Sequence, residues 1–189
     1  MDGTGTTTLS QLIADGLRAR DLRVCLTAEP TDGPLGTVLR AHLKGALSLD
    51  AHTAALVFSG DRADHLTRTI RPALARGEWV VCDRYLLSTL AYQGAEGVSR
   101  EAVLAASSGF DVPDLTVVLD ASDEVREGRM AGRSERERYE DEAFSEGLRG
   151  SYEAAIDLLR SAGHRIEILD ATASPEDIAA EVLGRLDTL

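Results

Sequence analysis

Lysine is almost missing from this 189-residue chain: Lys44 is the only one, and the rest of the positive charge is arginine. Basic residues are few as a class, 20 against 32 acidic ones, and the formal net charge is -12. That balance excludes a general nucleic-acid or polyanion binder, which needs a basic stripe across one face. It leaves room for a small phosphorylated ligand in a local basic pocket. The two cysteines, Cys25 and Cys82, sit inside apolar runs without metal-ligand spacing and read as reduced core residues. No apolar run is long enough to span a bilayer and no secretory leader is legible, so the expectation is a cytoplasmic protein away from membranes. Repeats, linkers and low-complexity stretches are absent too. What remains, 43% hydrophobic and 28% charged, suits a single domain over residues 1–189 with one sizeable core.

What is present alternates. Helical faces marked by Leu9, Leu12, Ile13 and Leu17, by Val38, Leu39, His42 and Leu43, and by Leu56, Val57, Leu66 and Ile70 are interleaved with short apolar runs. The runs at 22–27, 79–82, 115–119 and 165–169 read as buried strands. A long helix is expected over 51–68, with Pro72 breaking the pattern behind it; others fall at 86–93, 100–106 and 144–159, and Ser174-Pro175 opens a last one. Strands alternating with helices predict an α/β fold, a parallel sheet covered on both faces.

The chain opens Met1-Asp2-Gly3-Thr4-Gly5-Thr6-Thr7-Thr8, most of a phosphate-binding loop. In the pattern G-x-x-x-x-G-K-[ST], glycines let backbone N–H groups curl round phosphate oxygens, a lysine reaches the β/γ-phosphates and a hydroxyl meets Mg²⁺. Gly5 matches the second glycine and Thr7 the hydroxyl, while Thr6 stands at the lysine position. The first glycine would fall one residue before Met1, and the apolar strand that should precede the loop is not seen. The helix behind the loop opens where its dipole favours anions.

Two strands end in acidic residues: Asp83-Arg84-Tyr85 follows the run at 79–82, and Glu29-Pro30 follows the one at 22–27. Ligands in α/β sheets bind beyond strand C-termini. An aspartate there can hold a metal–water shell and a neighbouring arginine can fork onto a phosphate. Each alone reads equally as a surface ion pair; beside a phosphate-like loop, together, they point to a magnesium nucleotide site. Arg129, Arg133, Arg136 and Arg138 crowd round Gly132 before Glu140-Asp141-Glu142. They suit either a solvated helix face or a lid, about 129–142, closing on phosphoryl groups. Phe58 and Arg62 share a helix face, as do Ser88 and Tyr92. An aromatic can stack a base and an arginine can bond its carbonyl; core plus surface is the plainer reading.

The run at 56–94, LVFSGDRADHLTRTIRPALARGEWVVCDRYLLSTLAYQG, resembles the centre of the thymidylate kinases, a family of P-loop nucleoside monophosphate kinases. The resemblance extends to residues 27–36 and to the run ending Arg138-Tyr139-Glu140, and so covers nearly the whole chain. It implies transfer of the γ-phosphoryl group of ATP to the 5′-phosphate of dTMP, with Mg²⁺, in a homodimer. It further implies that Phe58 stacks on thymine, Arg62 holds its O4, and Ser88 and Thr89 line the base. Tyr92 would crowd the sugar's 2′ position with Gln93 beside it, and Arg84 would bind the dTMP phosphate. Glu29 also borders the substrate, and with Asp83 and Thr7 it would order the magnesium. Gly3, Gly5, Thr6, Thr7 and Thr8 would hold the ATP phosphates, Asp2 would align the acceptor, and Arg129, Arg133 and Arg138 would clamp ATP from the lid.

Three departures from the family pattern stand out. Thr6 replaces the loop lysine, Ala28 replaces a usual arginine beside Glu-Pro, and the first strand is missing. In similar kinases that strand is central, between the strands matching 80–82 and 115–119. The absence of a basic residue at Thr4, with an arginine-rich lid, is similar to the bacterial subgroup that supplies its catalytic arginine from the lid. Besides a thymidylate kinase weakened by Thr6, the sequence admits a non-catalytic nucleotide-binding paralogue, or a kinase of another deoxynucleoside monophosphate.

Overall fold

A computed structural model of the chain describes residues 5–120 and 142–186. The first described segment begins at Gly5, whose φ of 89° lies in the left-handed region that glycine enters without a Cβ clash. From there helix α1 (Thr6–Arg18) runs with Leu9, Ile13, Ala14 and Leu17 buried. Strand β1 (Val24–Ala28) follows, then α2 (Pro34–Leu43) and α3 (Ala51–His65). Asp50 caps α3 by accepting from the Thr53 N–H at 3.0 Å.

The helix does not end where the sequence suggested. Past His65 it widens into a π-helical turn (Leu66–Ile70), in which the Arg71 N–H bonds the Leu66 carbonyl five residues back, and continues as α4 (Arg71–Ala75). Proline inside an α-helix lacks a donor and clashes with the carbonyl four residues earlier. The widened turn takes up that misfit, so Pro72 sits in the first turn of α4 and does not break the rod.

Strand β2 (Trp79–Asp83), helices α5 (Leu86–Ala95) and α6 (Arg100–Ala106), and strand β3 (Thr116–Asp120) complete the first described segment. Helix α7 (Glu142–Ser161), strand β4 (Ile166–Asp170) and helix α8 (Pro175–Leu186) form the second. Ser174 caps α8 through the Asp177 N–H, as its sequence announces. The strands at 22–27, 115–119 and 165–169 sit one or two residues later than expected. No helix among the described residues is long and apolar enough to cross a membrane.

Both strand pairings are parallel: β1 with β2, register Val24 to Trp79 through Ala28 to Asp83, and β3 with β4, Thr116 to Ile166 through Asp120 to Asp170. Among the described residues the two pairs are separate sheets. Helices cover both faces. On β3, Val118 packs with α5 and α7, while Leu119 and Val117 pack with α1 and α8. That alternation is the period-2 geometry of a strand buried on two sides.

The stripe expected on α3 is wrong in part. Leu56 is 66% exposed and Val57 half-buried, whereas Leu66 and Ile70 are buried. The buried face of α3 carries Ala54, Ala55, Ser59, Asp61, Arg62 and His65. Ser59 bonds back to the Ala55 carbonyl, and Asp61, Arg62 and His65 are buried there because they have partners on the β1–α2 loop.

Candidate functional site

Parallel pairing brings the C-terminal ends of β1 and β2 side by side, and the Glu29 N–H extends the ladder by donating to the Asp83 carbonyl at 3.0 Å. Two of the expected acidic residues are thereby fixed as neighbours. Thr7, in the first turn of α1, donates its hydroxyl to Oδ2 of Asp83 at 2.6 Å. Oδ1 of Asp83 is buried and has no hydrogen-bond partner among the described residues. Among the described residues no side chain caps the first N–H groups of α1, whose N-cap is Gly5. Carboxylate and hydroxyl oxygens are the donors Mg²⁺ prefers, and a helix N-terminus suits phosphate.

Glu29 is 6% exposed and its charge is matched from two sides. Arg62, itself 1% exposed, reaches Oε2 with Nε at 3.0 Å and with Nη2 at 2.7 Å. Nδ1 of His65 lies 3.1 Å from Oε1. Arg62 Nη2 also donates to Oγ1 of Thr89 at 2.9 Å, and its guanidinium carbon stands 4.9 Å over the Tyr85 ring. Nη1 of Arg62 is buried without a partner among the described residues. A buried charge survives only when paired and hydrogen-bonded; this group is both, with one donor to spare.

The loop after Glu29 is held as firmly. Asp61 accepts from the Thr31 N–H at 2.8 Å and from its hydroxyl at 2.6 Å, and Arg40 donates to the carbonyls of Pro30 and Thr31. Gly36 lies so close to Thr31 that any side chain there would run into its carbonyl. Beyond β2, Arg84 has φ 70°, a left-handed conformation that costs a non-glycine residue roughly 1–3 kcal/mol. The Cys82 thiol donates to the Arg84 carbonyl at 3.0 Å, which helps hold the turn. The Arg84 guanidinium carbon lies 5.7 Å from the Tyr92 ring, which meets Tyr152 edge-on at 5.9 Å. Burial pushes the hydroxyls of Tyr85 and Tyr92 well above the usual phenol range, against the pull of Arg62 and Arg84 respectively.

The structure therefore gathers the expected residues into three groups: Thr7 with Asp83; Glu29 with Arg62 and Thr89; Arg84 with Tyr92. Phe58 is half-buried one turn before Arg62 on α3, and Ser88 is half-buried on α5, where Gln93 is buried. A cleft of about 880 Å³ opens between α1 and the end of β1, walled by Thr7, Thr8, Asp83 and His65. Phe58, Arg84, Ser88 and Tyr92 are not on its walls. Gly5 and Thr6 begin α1 as expected, while Asp2, Gly3, Arg129, Arg133, Arg138 and the lid as a whole lie outside the described residues. Sequence reasoning passed over His65, Asp61 and Arg40, and gave Tyr85 no role of its own. The available signal was the apolar stripe of α3 itself, whose core positions read Ser, Asp, Arg and His.

Comparison with known proteins identifies the family. The sequence model of the family described as thymidylate kinase matches residues 1–182. A thymidylate kinase of Thermomicrobium roseum is 40% identical over 189 residues, covering 96% of this chain and 88% of its own. That of Rhizorhabdus wittichii is 38% identical over 200 residues, covering 100% and 94%. That of Akkermansia muciniphila is 39% identical over 186 residues, covering 96% and 85%. A family match spanning both described segments, with relatives matched along nearly their whole length, shows that the chain belongs to the thymidylate kinase family.

Proposed function

We propose that this protein transfers the γ-phosphoryl group of ATP to dTMP, giving dTDP, with Mg²⁺. The observation that carries the reading is the Thr7–Asp83 hydrogen bond, which sets an oxygen pair at the first turn of α1. Both oxygens of Glu29 are taken by Arg62 and His65, so magnesium falls to Thr7 and Asp83, and Glu29 serves the base pocket. Bound there, the ion would neutralise charge on the β- and γ-phosphates.

The remaining catalysis is positioning and electrostatics, as phosphoryl transfer requires. The first N–H groups of α1 and the Thr8 hydroxyl face the ATP phosphates. Arg62 presents Nη1 to the thymine O4, with Phe58 stacking on the ring one helical turn away. Arg84, its guanidinium beside the Tyr92 ring, holds the 5′-phosphate, and Tyr92 crowds the 2′ carbon against a ribose hydroxyl. Asp2 aligns the acceptor, and Arg133 and Arg138 close over ATP to supply the charge that Thr6 lacks. The protein acts as a cytoplasmic homodimer; Leu56, outward on α3 at 66% exposure, supports an apolar interface on that helix.

The test is ADP release with dTMP, dCMP, dGMP and UMP as acceptors. dTMP is expected well ahead of the other three. Equal turnover of all four sinks the thymine assignment, and dTMP binding without ATP binding or ADP release assigns a non-catalytic role.

A further inference from the structure

The two oxygens of Glu29 are used unequally. A guanidinium fork on a carboxylate ordinarily places one nitrogen on each oxygen. Here both forked nitrogens of Arg62 fall on Oε2, at 3.0 and 2.7 Å, because Oε1 belongs to Nδ1 of His65 at 3.1 Å. A carboxylate only accepts, so Nδ1 is the donor. The other ring nitrogen lies 2.7 Å from Oγ1 of Thr27, a hydroxyl able to give or take the bond. His65, 3% exposed, is thus fixed from both sides. The consequence appears on Arg62. Turned onto one oxygen, and steadied by Thr89, its guanidinium keeps Nη1 buried with no partner among the described residues. A buried donor left unpaired is costly until an acceptor meets it.

We propose that His65 is a positioning residue for the substrate's base. By occupying Oε1 it holds the Nε/Nη2 edge of Arg62 on Oε2 alone, and so sets the tilt of the guanidinium that turns Nη1 toward the acceptor oxygen of a pyrimidine ring. The assignment rests on the dTMP reading above. In this role His65 works through Glu29 and Arg62.

Two substitutions in the full chain separate this role from a merely structural one. In His65→Asn the amide nitrogen falls near the place of Nδ1 and can still donate to Glu29. In His65→Gln it reaches instead to the place of Nε2 and leaves Oε1 free. Calorimetric titration with dTMP and steady-state kinetics should show Kd and KM for dTMP raised about tenfold in the glutamine variant, with the asparagine variant within about threefold of wild type. KM for ATP should stay put in both. The preference for dTMP over dCMP, which carries an amino group at that ring position, should narrow only with glutamine. If His65→Gln does not fold, Thr27→Val, which unties the far ring nitrogen, is expected to shift dTMP affinity in the same direction. Unchanged dTMP affinity in the variants, or parallel losses in dTMP affinity, ATP affinity and kcat with both amides, overturns the role of His65. A wild-type protein that binds no dTMP overturns the substrate reading, and this assignment with it.

Discussion

The Thr7 hydroxyl and the Asp83 carboxylate meet at 2.6 Å across 76 positions of sequence. The bond couples the first turn of α1 to the end of β2 and leaves Oδ1 of Asp83 to a ligand. Replacing that carboxylate with an amide keeps the size and removes the charge. Asp83→Asn is expected to lower kcat by roughly 10²–10³, the scale for removing one preorganised electrostatic group. The Mg²⁺ concentration for half-maximal rate should rise, with KM for dTMP little changed. Steady-state kinetics across a magnesium series checks this; a loss confined to KM for dTMP contradicts it.

Arg62, proposed above to hold the base, is also a structural residue. Truncating it strands Glu29 in a site where only His65 remains as partner. Breaking one side of a buried ion pair costs roughly 3–5 kcal/mol. Arg62→Ala should therefore lose about that much stability in urea denaturation, quite apart from its effect on dTMP. Adding Glu29→Ala should recover part of the loss, because the uncompensated charge goes with it. A double variant no more stable than the single would show that packing, not charge, sets the cost.

Thr6 is the first residue of α1 and carries no charge where a phosphate loop of this pattern carries lysine. Lys44, just past α2, is exposed and is the only lysine in the chain. A lysine at position 6 places a cation on the β/γ-oxygens, where charge shifts during transfer. Thr6→Lys is expected to raise kcat by at least about tenfold with little change in KM for dTMP. If kcat stays put while Arg133→Ala or Arg138→Ala abolishes activity, those arginines already supply the charge.

The tyrosine hydroxyls set an alkaline limit. Burial holds Tyr85 and Tyr92 above their ordinary value of 10.0, and burial likewise raises Cys25 and Cys82 above 9.0. The folded protein keeps these protons after the unfolded chain has released its own. Their contribution is therefore complete below the unfolded values and declines as pH rises past about 9–10. Melting temperatures should fall between pH 9 and 11, and the native absorbance rise at 295 nm should lack two tyrosines until unfolding. Tyr92→Phe should flatten the decline; an unaltered slope in that variant would locate the effect elsewhere.

Element order was legible because it rests on local pattern, and strand bounds came within one or two residues. The run ending at Asp83 is apolar, short and closed by charge, and β2 ends there. Spacing alone singled out Thr7 and Asp83, and the structure puts the two in hydrogen-bond contact. What could not be read was partnership at long range. Nothing local says that Glu29 meets Arg62, 33 residues away, or that His65 closes the same carboxylate. Leu56 misled for the opposite reason: an apolar residue at core spacing turned outward, since α3 buries its ionic face instead. The π-helical turn was hidden because Pro72 reads as a stop unless the preceding turn is allowed to widen.

That turn also bears on how the length of the chain can vary. Leu66–Ile70 holds one residue more than α-helical geometry needs, so removing one there leaves the helix on either side in phase. A deletion between Arg62 and His65 has no such slack. Each residue lost turns the helix by about 100°, and the two side chains would no longer face Glu29 together. A relative one residue shorter in this turn is then expected to carry a plain α-helix, and to have exchanged the proline at the position of Pro72, since the space that accommodates its ring disappears with the deleted residue.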